Sequence, residues 1–460
     1  MQSLIIPLRD EGLTTLRINY NWQTDDFRLE ARREWDTDTD FSRYNKDFSY
    51  ASILTDNSCL LNTEEVLALF KKYDLLEYLQ SVVDLLRKGQ HFGIDCYYNH
   101  KHDIRFMCNI HSWKIGLKNR QHATLSGGIR RHNPDEPEYD VIIDGLNLGR
   151  GSSFKAIAAR VPYGGSKTTV IMKPLDLNNM EVMGFLAYCI DRSRTHTGPD
   201  MNFPAEMADV MQENFSMQYT GGAKDVLGPT GKPTAYGTYK TLKAAVEFVE
   251  GDGSLDGKSV AVMGLGSVGW NIADMLSKEK TKLFLADIDD KKIDMFIAQH
   301  PGHPIKKVSV DDILYVDADI ISPSSIGGIF NEENIPKLKC KYIWAAANNQ
   351  LKASSQDEEY ALAKMLADRG ILFQTEWFHN CAGLITGSMA YALGKKATYD
   401  RLIKYIDENL PKSTMKNLSQ AKELGITPTE NAYRNCEKII YGGELYDFDY
   451  LDLFGENGTF

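Results

Sequence analysis

Residues 260–289 constrain this chain more than any other stretch. They run VAVMGLGSVGWNIADML, then a short polar turn, then KLFLADID. Gly264, Gly266 and Gly269 form a GxGxxG directly after an apolar, strand-like run and at the start of a helix-like one; a second apolar run ends at Asp287. Three glycines alone mean little, but this context gives them a physical reading. Gly264 permits a tight turn, Gly266 lets the backbone approach a pyrophosphate, and Gly269 lets the helix pack close to the strand. The helix start at Ser267 and Val268 offers free N–H groups and the positive end of a dipole to phosphates. An acid at Asp287 would bond ribose hydroxyls and repel a 2′-phosphate, so NAD is the expected cofactor rather than NADP.

Further strand-like runs follow at ADIISPSS, YIWAAANN and ILFQTEWF, with helical patterns between them. Strands alternating with helices imply a parallel sheet covered on both faces. Upstream, LTTLRINYNW reads as a strand, FRLEARREWDTDTDFSRY shows no clear period, and residues 62–88 read as a helix with Asn62 or Thr63 as its cap. FGIDCYYN and IRFMCNIHSW read as strands around an HKHD turn. PTENAYRNCEKII reads as the last helix, before an acidic aromatic tail. The fold class is therefore α/β, with a Rossmann-type doubly wound domain preceded by a second α/β domain.

Composition narrows the function. The net charge of -11 argues against nucleic acid or an anionic membrane as the main partner. No apolar run approaches the length that spans a bilayer, and MQSLIIPLRDEG is no signal peptide. The seven cysteines are scattered, without a CxxC pair, as expected of reduced thiols in a cytoplasmic protein. No His/Cys cluster offers a metal site; His100, His102 and His111 read as turn or core residues.

Two lysines and an aspartate are candidates for chemistry. Lys167 follows Gly164-Gly165-Ser166 and precedes TTVIM, an apolar β-branched strand. A lysine at the mouth of a buried strand is poorly placed for surface duty. Desolvation and a neighbouring cation would lower its pKa towards that of a useful base, and Lys155 is a candidate for that cation. Asp200, in HTGPDMNFPAEM, sits in a turn after Gly-Pro. Taken alone it reads better as a helix N-cap than as a catalytic acid.

Six motifs in order change that weighting: GGSK, GPDMN, GPTGKPTAYGTY, the glycine motif, AAANNQL and NCAGLITG. Over residues 62–440 the chain resembles the glutamate/leucine/phenylalanine/valine dehydrogenase family, and looks closest to its leucine and phenylalanine branch. The resemblance implies two domains with a cleft between them. They are a substrate, catalytic and oligomerisation domain over 61–220 and a Rossmann NAD-binding domain over 221–400. An N-terminal extension covers 1–60, and C-terminal helices and a tail over 401–460 return to the first domain. It implies reversible oxidative deamination of an L-amino acid to a 2-oxo acid and ammonia, in a homo-oligomer. By resemblance, Lys155 binds the substrate carboxylate, Lys167 activates water and Asp200 shuttles protons. Thr234 and Asn380 would stand near the nicotinamide, and Asn349 at the cofactor–substrate junction. Within Asn380-Cys381-Ala382-Gly383, alanine replaces the first glycine of the family pattern.

The resemblance also locates the side-chain pocket. Ser126, with Gly127 and Gly128, stands where glutamate-specific members carry a lysine; without that lysine a buried distal carboxylate would be unpaired. Gly198, Leu384 and Gly387 are the other lining positions. Two glycines widen the pocket and a leucine keeps it apolar, so a bulky apolar or aromatic amino acid is expected. Competing readings are a biosynthetic relative acting on an unusual amino acid, a regulatory homologue without activity, and, with little support, a catalytic thiol at Cys381.

Overall fold

The computed structural model describes residues 2–45, 53–112, 125–161, 163–216 and 218–442. The acidic aromatic tail lies outside the described residues. Among them, two sheets organise the chain.

The first sheet holds nine strands: β1 (Thr15–Asn21), β2 (Asp26–Arg33), β3 (Cys59–Leu61), β4 (Gly93–Asn99), β5 (Ile104–Ile110), β6 (Leu125–Ser126), β7 (Ile129–His132), β8 (Gly164–Ile171) and β9 (Thr195–His196). Their order is β3-β2-β1-β4-β5-β8-β6-β9, with β7 also paired to β8. Side chains alternate between two cores, as a pleated strand requires. Tyr97 packs with Trp35, Phe106, Phe185 and Tyr188 on one face. Cys96 and Tyr98 pack with Leu79, Val83 and Val141 on the other. Every residue of β8 is buried.

Two local readings are corrected. The stretch without a clear period contains β2, antiparallel to β1 from Thr15↔Arg32 to Asn21↔Asp26. Its alternation of Phe27, Leu29 and Ala31 is short and is lost in the charged run that follows. Residues 62–88 form two helices, Thr63–Lys72 and Leu76–Gly89, broken at Asp74, whose φ is 57°. Asn62 caps the first in a reciprocal box with Glu65.

The second sheet holds β10 (Ser259–Met263), β11 (Lys282–Ala286), β12 (Ile305–Lys307), β13 (Ile320–Pro323), β14 (Tyr342–Ile343) and β15 (Leu372–Phe373). All pairings are parallel, in the order β12-β11-β10-β13-β14-β15. That is the doubly wound order, with its switch point between β10 and β13. Val260, Val262, Leu283 and Leu285 face the helices Gly231–Glu250 and Ser267–Leu276. Ala261, Phe284 and Ile321 face the helix Gln356–Asp368. A further cluster joins the two units: Phe154 and Ile157, on the helix Glu138–Ala158, meet Trp377, Ile385, Ile406 and Tyr433. No helix among the described residues is long and apolar enough to cross a membrane.

Candidate active site

A cleft of about 710 Å³ opens where β6, β8 and the chain after β9 face the glycine-rich turn after β10 and the helix Ala382–Leu393. Ser126, Gly127, Gly128, Lys155, Lys167, Gly198 and Asp200 line one wall; Ser267, Val268, Leu384 and Gly387 line the other.

Lys167 is fixed on β8 opposite Asn109, whose Nδ2 donates to the Lys167 carbonyl at 3.1 Å. Its side chain is 9% exposed, and Nζ donates to Asp200 Oδ2. A buried ammonium needs such a partner. Asp200 is delivered by the chain after β9, which runs beside β6 and β7. The Gly127 N–H donates to the His196 carbonyl at 3.1 Å and the Ile129 N–H to that of Gly198 at 3.1 Å. The N-cap reading of Asp200 is not what is observed, because the next helix starts at Glu206 with Ala205 at its cap. Instead Asp200 Oδ1 accepts the Met201 N–H at 2.8 Å, and Arg130 Nη2 stands 3.5 Å from Oδ2. Burial by itself would raise this carboxyl; the charges of Lys167 and Arg130, and the hydrogen bonds from Lys167 and Met201, outweigh it and hold Asp200 at about 2.

Arg130 was not singled out from the sequence. Its Nη1 donates to both oxygens of Asp144 at 3.0 Å. Its position two residues beyond Gly128 in an extended run was the available signal. Gly128 leaves room for the pair: a Cβ there would lie 2.9 Å from Lys167 Nζ and 3.2 Å from Asp200 Cβ, so the lysine end would have to shift.

Lys155 is half-buried on the helix Glu138–Ala158. Its Nζ donates to Asn348 Oδ1 at 3.1 Å. Burial pulls its pKa down, Glu376 and Asp200 act against that, and the like charge of Lys167 adds to it. The asparagine that lines the cleft is therefore Asn348, not the expected Asn349. Asn349 takes φ 52° and gives its N–H to Glu376 Oε1 at 2.6 Å, which leaves Asn348 facing Lys155. Asn380 joins them, donating from Nδ2 to Asn348 Oδ1 at 2.9 Å and to the Ala346 carbonyl at 3.0 Å.

At the side-chain end, Ser126 Oγ lies 3.3 Å from His196 Nδ1, and His196 Nε2 lies 2.8 Å from Thr220 Oγ1. His196 stacks on Tyr391 with ring centroids 5.1 Å apart. Burial pushes it down to about 4, so it is neutral near pH 7. His196 also escaped the sequence reading, which had no means of placing an imidazole beside Ser126. The thiol of Cys381 is buried and pushed up to about 12, which removes the basis for a thiolate nucleophile there.

On the second unit, Gly264 takes φ 93°, and a Cβ on Gly269 would lie 1.9 Å from the Gly264 carbonyl oxygen. Around Gly266, which caps the helix starting at Ser267, the space a Cβ would take is open. Asp287 Oδ2 accepts the Leu265 N–H at 2.6 Å and Oδ1 the Asp289 N–H at 2.9 Å. Burial raises the Asp287 carboxyl, but these amides and Lys292 hold it below the usual carboxylate range. It is an ionised acceptor at the end of β11, beside the helix start. Thr234 does not line the cleft, although Thr230 and Gly231 do; its hydroxyl donates to the Thr230 carbonyl at 2.8 Å, close beside Gly383.

Comparison with known proteins finds likeness in sequence and in fold. The family profile described as "Glu/Leu/Phe/Val dehydrogenase, dimerisation domain" matches residues 99–223. Phenylalanine dehydrogenase from Lysinibacillus sphaericus is 32% identical over 327 residues, 69% of this chain and 81% of its own. L-tryptophan dehydrogenase from Nostoc punctiforme is 31% identical over 352 residues, 74% of this chain and 93% of its own. The crystal structure of L-tryptophan dehydrogenase from Nostoc punctiforme superposes with a TM-score of 0.62 at 26% identity, covering 78% of this chain and 99% of that one.

Proposed function

Because the chain belongs to the Glu/Leu/Phe/Val dehydrogenase family, we propose that it catalyses the reversible NAD-dependent oxidative deamination of an L-amino acid to its 2-oxo acid and ammonia. The observation that carries this reading is the contact between Lys167 Nζ and Asp200 Oδ2 in a cleft that Lys155 also faces and whose far wall begins at the glycine-turn helix.

The residues present suit a dinucleotide. Gly264, Gly266, Ser267, Val268 and Gly269 would take its pyrophosphate, Asp287 its ribose, and Asn380 its nicotinamide end. When bound, NAD supplies the acceptor for the Cα hydride. The chain's own groups do the rest. Lys155, steadied by Asn348, pairs with the substrate carboxylate. Lys167 Nζ first passes a proton across the contact to Asp200 and then takes one from the water that attacks the substrate iminium carbon. Asp200 hands the proton it received to the departing nitrogen. The cations around Asp200 offset the negative charge that develops on the carbinolamine oxygen.

For the substrate, Leu384, Gly387, Gly198 and the stacked pair His196 and Tyr391 support a bulky apolar or aromatic side chain, and Ser126 gives no cation to a distal carboxylate. The matched dimerisation-domain profile supports a homo-oligomer, and the free, mostly buried cysteines a cytoplasmic location. Because β1 and β2 belong to the first sheet, the described residues before 61 are part of the first unit, and we place the limit between the two units at 220 and 221. The test is NADH or NADPH formation from a panel of L-amino acids: phenylalanine, tryptophan or leucine with NAD should be fastest; a preference for glutamate would overturn the pocket reading, and one for NADP the reading of Asp287. A light-scattering mass equal to one chain, 51.9 kDa, would count against the oligomer.

A further inference from the structure

Glu376 lies behind the cleft wall, and the chemistry described above does not use it. It opens the short turn Glu376–Phe378 and is 3% exposed. A carboxylate at that depth needs donors or a counter-charge. It has both. Oε1 accepts the Asn349 N–H at 2.6 Å, and the Gln350 N–H also favours the charged form. Its own carbonyl accepts the N–H groups of His379 at 3.0 Å and Asn380 at 2.8 Å. One residue thus grips both segments that meet at Asn348 Oδ1, which accepts from Lys155 and from Asn380.

The turn it grips needs a left-handed residue. Asn349 takes φ 52°, a region asparagine adopts most readily after glycine, and the Glu376 contact is what fixes its N–H. A second, half-buried acid, Glu359, lies close enough to interact with it. Glu359 has only hydroxyl donors, Tyr433 at 2.7 Å and Thr375 at 3.3 Å, and is pushed up to about 7 by burial and by Glu376. Burial also raises Glu376, against the backbone amides and Lys155. Of the two acids, the one with amide donors and a facing ammonium is the better seat for the negative charge. Among the groups acting on Lys155, Glu376 is the foremost that favours its charged form.

We propose that Glu376 is a positioning residue for substrate binding: its carboxylate, anchored on the Asn349 backbone, sets the turn that presents Asn348 to Lys155. The proposal rests on the reading of Lys155 as the partner of the substrate carboxylate. Glu376 touches no reacting atom, so its loss acts on affinity for the amino acid rather than on turnover.

The experiment is a double-mutant cycle on the full-length enzyme with Lys155→Met and Glu376→Gln, using the best amino acid of the panel. Glutamine keeps the volume and an acceptor for Asn349 but loses the charge. Glu376→Gln should raise KM for the amino acid about fivefold, because the Asn349 N–H then bonds a neutral acceptor in place of a charged one, with kcat within about threefold and NADH affinity by fluorescence unchanged. In the Lys155→Met background the same change should move KM less than about twofold, because coupled sites are not additive. An unchanged KM in Glu376→Gln, the full penalty in the double variant, or parallel loss of NADH affinity each overturns the proposal. If Lys155→Met alone leaves KM unchanged, the reading of Lys155 fails first and takes the proposal with it. Should Glu376→Gln be insoluble, Glu376→Asp, which keeps the charge, must give a KM nearer wild type than Glu376→Ala; the reverse order refutes it.

Discussion

Replacing Asp200 by asparagine removes the anion from the centre of the site while keeping its shape. The folded protein holds this carboxyl at about 2, against about 4 for an unperturbed aspartate. A gap of roughly two units corresponds to about 2.6 kcal/mol of differential stabilisation. The side chain is 30% exposed, so solvent screening trims this to about 2 kcal/mol. The folded pKa is depressed, so the stabilisation is fully present above the unfolded value and is lost as pH falls through the folded one. About half should remain at pH 3. Urea denaturation followed by tryptophan fluorescence should therefore show Asp200→Asn less stable than wild type by about 2 kcal/mol at pH 7 and by about 1 kcal/mol at pH 3. Turnover should fall at least about a hundredfold, the scale of a lost proton-transfer group. A stability gap that is absent at pH 7, or equal at both pH values, would mean that Lys167 and Arg130 do not hold Asp200 as described.

Gly128→Ala places a methyl 2.9 Å from Lys167 Nζ; turnover should drop at least about tenfold and stability by about 1–3 kcal/mol, and a crystal structure with Lys167 and Asp200 unmoved would refute this. Asp287→Ser should weaken NAD, and raise the ratio of NADP to NAD turnover about tenfold or more, because a ribose acceptor and a repulsive charge are both lost; an unchanged ratio in cofactor kinetics would show that Asp287 does not set the preference. Gly387→Ala adds a Cβ 3.2 Å from the His196 ring and should lower kcat/KM for phenylalanine or tryptophan about fivefold more than for leucine; equal losses would move the side-chain pocket elsewhere.

What was legible in the sequence was local. The glycine turn, the helix it opens and Asp287 are consecutive, and their spacing alone places them at the end of a parallel strand. The parallel sheet of the second unit, covered by helices on both faces, followed from alternating strands and helices; its strand order did not. Asp200 was different: it reads as a cap until β8 brings Lys167 against it across the sheet. Arg130, His196 and Glu376 escaped for the same reason, since each acquires its role from partners on other elements. The choice between Asn348 and Asn349 turns on one left-handed backbone angle, which no pattern of residue types encodes. The strand Asp26–Arg33 was obscured because its three inward residues are embedded in charge.

The central claim is that Lys167, paired with Asp200, performs the proton chemistry in a cleft that binds amino acid and dinucleotide together. The most direct test compares wild type with Lys167→Ala, measuring NADH formation from the best amino acid of the panel and NADH affinity on the same preparations. The account predicts turnover reduced at least about a hundredfold with cofactor affinity within about twofold. Equal turnover in the two proteins would contradict it.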